Sequence, residues 1–312
     1  MVNSVSQAPK TTKTSIFYVN DIHGQTVNME RITSASKSFD VNDSFVPSEK
    51  VDKLKFAAGD VLLGEDLKVN TAADKYLRVN KFMASALGNL ELDIAPEDIV
   101  KITENAEYKL MGFNAKTDEN NILNKRITKS YIQEQNGTKY GVIGLMPFDL
   151  FNRIKYKDRF DGLDVKDVDL TINELQKEVD RLKKEGIDKI IVLSHTGYEN
   201  EVKIANGVEG IDVILGGHSH DLIQDIKEGK NLFYSQKTGE PTIITQAGRD
   251  GNYFGVLNLE FDDKGVITKA QNNVTKTNTF KKNLALRNIF DKLLGASEKV
   301  GFINSADPAP QK

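Results

Sequence analysis

"SIFYVNDIHG", Ser15–Gly24, sets the reading of the whole chain: a run of apolar residues stops abruptly at a polar cluster that contains Asp21 and His23. Such a run, bounded by ligand-type side chains, reads as a buried strand whose end carries chemistry. Four more stretches repeat the arrangement: "LKFAAGD" (Leu54–Asp60), "YGVIGLM" (Tyr140–Met146), "KIIVLSH" (Lys189–His195) and "DVILGGH" (Asp212–His218). Each ends in small or chemically active residues. Ligands of open α/β sheets collect at the carboxyl ends of strands, so these ends are where a site is expected.

All four histidines of the chain fall at such ends: His23, His195, His218 and His220. One histidine alone reads as an ordinary core or surface residue. Four together, with Asp21, Asp60 and Asn89 also at strand ends, read as a metal site. Asp-x-His places two side chains on one side of an extended strand end, so the spacing predicts that Asp21 and His23 share an ion. His218 and His220 fit the same rule, although their loop can also splay them toward two neighbouring ions. Asp60, with two oxygens, can bridge a metal pair, and mixed imidazole, carboxylate and amide ligation suits iron, manganese or zinc rather than calcium. Two ions about 3.5–4 Å apart clamp a phosphoryl group and activate a hydroxide between them. Glycines 24, 59, 88, 216 and 217 allow sharp turns beside these ligands, and each taken singly reads as turn chemistry.

Composition bounds the alternatives. With 312 residues, 39% hydrophobic, the chain is long enough for one large α/β domain or two smaller ones. A net charge of −3 gives no overall attraction to nucleic acid or anionic membrane. The basic segment from Lys177 to Lys189 is interleaved with acids and reads as a solvated helix face, so a nucleic-acid ligand is disfavoured. There are no cysteines, which excludes disulfides, zinc–thiolate sites and cysteine nucleophiles. No segment is long and apolar enough to insert in a bilayer, and "MVNSVSQAPKTTK" lacks the apolar core of a signal peptide. The expectation is a soluble protein, cytoplasmic unless a signal peptide has been removed.

Between the strands, Val168–Ile187 carries apolar residues at Leu170, Ile172, Leu175, Val179 and Leu182 and ends at Gly186, which predicts a surface helix with a glycine cap. "PTIITQAG", "FGVLNLEFDD" and "GVITKAQNNV" predict consecutive, antiparallel strands. A helix is expected at about Lys282–Leu294. The aromatic and basic stretch from Phe148 to Phe160 reads as a lid or partner surface, or equally as a long connection covering a sheet edge. The boundaries expected are a flexible tail at 1–13, one domain at 14–280, and a helix with a linker-like tail at 281–312.

In motif and order, "NDIHG", "AAGD", "GNLELD", "LSHTG" and "GGHSH" resemble the calcineurin-like metallophosphoesterase family, and within it the catalytic domain of the 5′-nucleotidase group. The resemblance implies a four-layer α/β/β/α sandwich with two facing mixed β-sheets and two divalent or trivalent transition-metal ions. Carried over by position, it implies Asp21, His23 and His220 on one metal, Asp60 bridging, and Asn89, His195 and His218 on the other. It also implies Asn89 and Asp60 as catalytic positions.

Three departures qualify it. The family has Gly-Asn-His-Glu where this chain has Gly88-Asn89-Leu90-Glu91, so the general-acid position is occupied by leucine. Asp93, which would orient that histidine, loses its client and reads equally as a residue at the start of the next helix. Glu65 and Asp66 stand where small or hydroxyl residues are usual: facing the site they would repel phosphate, whereas at a helix start they would be solvated. Lastly, the C-terminal domain that supplies nucleoside-stacking aromatics and phosphate-binding arginines in the 5′-nucleotidase group does not follow in this sequence. Two functions fit. One is a dinuclear phosphoesterase with weak or selective hydrolysis of a phosphoester small molecule. The other is an inactive, metal-binding pseudoenzyme that holds a phosphorylated ligand or a protein partner.

Overall fold

The computed structural model describes residues 11–41 and 50–295. Along the chain come β1 (Thr12–Val19), α1 (Thr26–Val41), β2 (Val51–Ala57), α2 (Leu67–Val79), β3 (Ala84–Ala86), α3 (Pro96–Ile102), β4 (Lys109–Met111), β5 (Ala115–Thr117), β6 (Ile127–Thr128), β7 (Ser130–Gln135) and β8 (Thr138–Leu145). There follow α4 (Leu150–Arg153), β9 (Leu163–Val165), α5 (Val168–Lys184), β10 (Ile190–Ser194), α6 (Tyr198–Gly207), β11 (Val213–Leu215), β12 (Leu232–Tyr234), β13 (Pro241–Thr245), β14 (Tyr253–Phe261), β15 (Ile267–Lys276) and α7 (Leu284–Leu294).

Strand alternation explains the layering. On β1, Ile16 and Tyr18 face a core between two sheets, while Phe17 and Val19 face a core under helices, and all four are fully buried. β10 does the same from the other side, with Ile191 and Leu193 between the sheets and Ile190 and Val192 beneath helices. A strand buried on both faces has no polar alternation, which is why these runs read as continuously apolar. The first sheet has the order β15-β14-β1-β2-β3-β4-β6 and the second β12-β13-β11-β10-β8-β7. Helices α1, α2, α3 and α7 cover the first sheet, and α5 and α6 cover the second. The result is a four-layer α/β/β/α sandwich.

The sheets are mixed, and their parallel parts matter most. β1, β2, β3 and β4 are parallel neighbours in one sheet, and β8, β10, β11 and β13 in the other. β13 corrects an expectation: it does not form a meander with β14 and β15 but lies parallel to β11 in the second sheet. Only β14 and β15 pair antiparallel as expected. The stretch Pro241–Gly248 has the same apolar run and small-residue ending as the other parallel strands, and its proximity in sequence to a hairpin hides that likeness.

The helix expected near the end is α7, capped by Asn283, whose side chain accepts the Leu286 N–H. It buries Leu286, Phe290 and Leu294 in the core shared with α1 and α2. α5 ends at Lys184, and Gly186 follows at φ +80°, as a C-terminal glycine should. Of the expected tails, residues 1–10 and 296–312 lie outside the described residues.

Candidate metal centre

Every ligand-type residue singled out in the sequence follows a parallel strand. Asp21 and His23 follow β1, Asp60 follows β2, Asn89 follows β3, His195 follows β10, and His218 and His220 follow β11. The structure brings all seven into one neighbourhood.

The local reason differs from the one inferred from spacing. The alternation of an extended strand does not place Asp21 beside His23, because β1 ends at Val19 and both residues are left-handed, at φ +49° and +53°. Asp60 (+50°), His218 (+77°), His220 (+62°) and Asp250 (+59°) are left-handed too, whereas only Lys81 and Asn136 share this conformation elsewhere among the described non-glycine residues. Such backbone costs about 1–3 kcal/mol per residue and clusters where geometry is needed for function. Hydrogen bonds between loops hold it: Asp21 N–H donates to Gly59 O, His23 N–H to Asp60 O, and Gly24 N–H to Val61 O, at 2.9–3.1 Å. Gly59 permits the approach, since it sits at φ +88° and a Cβ there would lie 2.5 Å from His195 Nδ1. Gly88 is required for space, because a Cβ would collide with the Asp60 carboxylate.

The side chains form a buried knot. Asp21 Oδ1 lies 3.4 Å from His220 Nε2, 3.6 Å from His23 Nε2 and 3.8 Å from His195 Nε2. Asp60 Oδ2 lies 3.3 Å from His195 Nε2 and 3.8 Å from His23 Nε2, while its Oδ1 accepts the Leu90 N–H at 2.8 Å. Two sets could each hold an ion: Asp21, His23 and His220, and Asp21, Asp60 and His195. Asn89 Oδ1 faces His218 Nδ1 at 3.1 Å.

The outward nitrogens show what the inward ones can do. His23 Nδ1 is 2.9 Å from Asp250 Oδ1, His195 Nδ1 is 2.6 Å from Ala58 O, and His218 Nε2 is 3.1 Å from Asp149 Oδ1. These oxygens accept, so the ring nitrogens facing them carry hydrogen. In a neutral ring the opposite nitrogen then presents a lone pair to further acceptors: Asp21, Asp60 and the Asn89 carbonyl. His195 Nε2 is fully buried and, with Asp60 Oδ2 3.3 Å away, makes no well-aligned hydrogen bond among the described residues. Lone pairs facing carboxylates are tolerable only with positive charge between them, supplied by a bound cation or by a second proton on each ring. Burial alone would lower the His23 and His195 pKa values, yet Asp21, Asp250 and Asp60 push His23, and Asp60 and Asp21 push His195, up to about 10. Burial would likewise raise Asp21 and Asp60, yet the imidazoles hold Asp21 well below, and Asp60 below, the usual range. The donor set therefore fits divalent cations.

Two buried glutamates that sequence reasoning misses fix the loops. Glu91 accepts four backbone N–H groups: Asp60 (2.9 Å) and Gly88 (2.8 Å) on Oε2, and Val61 (2.8 Å) and Leu62 (3.2 Å) on Oε1. It ties the Asp60 loop to the Asn89 loop. Burial, reinforced by the Asp60 charge, pushes its pKa up to about 7. Glu201 accepts from Gln246 Nε2 (2.9 Å) and Gly217 N (3.3 Å) and so frames the loop of His218 and His220. Its burial pushes it up to about 8.

The departures also find places. Asp66 is the N-cap of α2 and accepts the Lys68 and Val69 N–H groups. Glu65 pairs with Lys155 Nζ at 2.9 Å, so neither acid meets the carboxylate–imidazole knot. Asp93 does not begin the next helix, whose N-cap is Ala95; its Oδ1 accepts the Lys155 N–H at 2.9 Å. The segment from Phe148 to Phe160 buries Leu150, Ile154 and Phe160 in the helix-side core of the first sheet. Tyr156 and Arg159 of the same segment line a cavity of about 320 Å³ together with Glu65, Asp93 and Asp98.

Known proteins agree with this architecture. The chain is 31% identical over 235 residues to a probable 5′-nucleotidase of Treponema pallidum, covering 72% of this chain and 39% of that one. It is 27% identical over 291 residues to the NAD 5′-nucleotidase of Haemophilus influenzae, covering 86% and 47%. It thus spans less than half the length of these two relatives. Among solved structures, a 5′-nucleotidase precursor of Thermus thermophilus superposes with a TM-score of 0.76 at 21% identity, over 90% of this chain and 58% of that one. YfkN of Bacillus subtilis, a calcineurin-like phosphoesterase, gives 0.69 at 20%, over 91% and 97%. No helix among the described residues is long and apolar enough to cross a membrane. The model of the calcineurin-like phosphoesterase family matches residues 14–222, and the chain belongs to that family.

Proposed function

We propose that this chain is a dinuclear metal-dependent phosphoesterase with an impaired catalytic loop, which hydrolyses activated or diester phosphates better than ordinary monoesters. The observation that carries the reading is the knot itself: the inward nitrogens of His23 and His195 meet Asp21 and Asp60 with no lysine or arginine paired to either carboxylate among the described residues, so bound cations, or protons on the rings themselves, must balance the charge. Asp21, His23 and His220 would hold one ion; Asn89, His195 and His218 would hold the other; Asp60 would serve both. Manganese, iron and zinc suit this donor set. When bound, such ions supply Lewis-acid polarisation of a phosphoryl group and neutralise charge developing on it. The chain's own residues hold the ligand-bearing loops rigid and leave no proton donor at position 90, where Leu90 can give only its backbone N–H to Asp60. A general acid contributes about 10²–10⁴ in rate, so substrates whose leaving groups need no proton lose least. The relatives' names point to small phosphoesters such as nucleotides as the substrate class.

Leu90 also favours a second reading, a pseudoenzyme that keeps its metals and binds a phosphorylated ligand without turnover. The engagement of Asp93 by the Lys155 N–H supports it, because the former orienting carboxylate now serves a different group. Hydrolysis of p-nitrophenyl phosphate and bis(p-nitrophenyl) phosphate by the native chain, Leu90→His and Asp60→Asn separates the two. Native turnover of the diester that disappears in Asp60→Asn supports the enzyme. Absence of native turnover with recovery in Leu90→His supports the pseudoenzyme. Inactivity of all three with both substrates would sink the phosphoesterase reading.

A further inference from the structure

Two carboxylates outside the ligand set occupy matching positions on opposite sides of the knot. Asp250 follows β13 and Asp149 follows β8, both parallel strands of the second sheet. Asp250 Oδ1 meets the outward Nδ1 of His23 at 2.9 Å, and its Oδ2 meets Arg249 Nε at 2.9 Å. Asp149 Oδ1 meets the outward Nε2 of His218 at 3.1 Å, and its Oδ2 meets Arg153 Nε at 2.7 Å. Each carboxylate is therefore gripped between an arginine and an imidazole. The backbone supports the first relay as well, since Asp250 N–H donates to Asp21 O at 2.6 Å.

We propose that Asp250 and Asp149 are positioning residues, one for each of the two metals, that set the affinity of the two sites independently. The inference rests on the dinuclear reading above. A carboxylate facing a ring nitrogen fixes which nitrogen carries hydrogen, holds the ring's orientation and makes the opposite nitrogen a better donor. Asp250 does this for His23 in the group formed with Asp21 and His220; Asp149 does it for His218, whose Nδ1 faces Asn89. The arginines meet each aspartate's second oxygen, which favours the orientation that turns the first oxygen to the ring.

The test is a Mn²⁺ titration of the metal-stripped chain by calorimetry, with free Mn²⁺ followed by electron paramagnetic resonance. Backgrounds that keep one site each provide the resolution: His218→Ala retains the Asp21–His23–His220 group, and His220→Ala retains the Asn89–His195–His218 side. Asp250→Asn is expected to weaken binding about 10–100-fold in the His218→Ala background and to leave the His220→Ala background unchanged. Asp149→Asn is expected to do the reverse, weakening binding by a similar factor in the His220→Ala background alone. Equal weakening of both backgrounds by either variant, or no weakening, would overturn the inference in favour of a general structural role. Thermal unfolding of each variant identifies any that lose binding only because they unfold, and Asp250→Glu and Asp149→Glu, which keep the acceptor, are expected to restore part of the affinity. Absence of Mn²⁺ binding by the unmutated chain would instead refute the metal-site reading itself.

Discussion

Replacing Glu91 with glutamine removes one oxygen acceptor from a site that uses two. Each carboxylate oxygen accepts two backbone N–H groups, Val61 and Leu62 on one and Asp60 and Gly88 on the other. The glutamine oxygen can retain one pair, and its amide nitrogen then points donors at the other pair. Two buried N–H groups without acceptors cost about 1–3 kcal/mol each, or about 2–6 kcal/mol together. This is a large part of a typical stability of about 5–15 kcal/mol. At about 2–4 °C per kcal/mol for large single domains, the lost acceptors alone would lower the midpoint of thermal unfolding by at least about 4 °C, and removal of the buried charge returns part of this. Circular dichroism at pH 8, above the raised Glu91 pKa of about 7, is the assay. The Asp60 and Asn89 loops should also lose their register, so metal retention should fall with stability. A midpoint within about 1 °C of the native value, well inside the shift expected from those lost acceptors, with metal content unchanged, would refute the claim that this carboxylate ties the two loops together.

Other outcomes follow from the same structure. Gly88→Ala places a methyl group against the Asp60 carboxylate and should destabilise by about 1–3 kcal/mol, read as a lower unfolding midpoint. Phe290→Ala empties a fully buried position under α1 and α2 and should cost about 3–5 kcal/mol in denaturant unfolding, which tests whether α7 is integral to the domain. Glu201, pushed up to about 8 by burial, has a folded pKa above its unfolded one. The folded state thus holds the extra proton, and its stability should decline as pH rises from about 4.5 to about 8. Glu201→Gln should flatten that part of the profile, and an unchanged profile in thermal melts would contradict the assignment.

Much of the site is legible because strand ends are legible. The apolar runs of β1, β2, β10 and β11 stop at Asp21, Asp60, His195 and His218, and the fold makes those ends converge. The same rule, applied to the ends of β8 and β13, leads to Asp149 and Asp250. They escape notice because an isolated aspartate in a loop is common, and because β13 reads as part of a hairpin meander. Glu91 and Glu201 give no signal, since a buried carboxylate and a solvated one are the same letter. The Asp-x-His spacing picks out two side chains that do lie together, but left-handed backbone, rather than strand alternation, brings Asp21 and His23 within 3.6 Å. The short strands β4 and β6, of three and two residues, carry too little pattern to be read at all.

The Asp21–Asp60–histidine knot is proposed to hold two metal ions although position 90 is leucine. Its most direct test is the metal content of the native chain and of Asp60→Asn after equilibration with Mn²⁺ and gel filtration, measured by mass spectrometry of the elements. The expected result is close to two ions per native chain and one or none in Asp60→Asn. A native chain that retains no transition metal, while folded, would refute the dinuclear site.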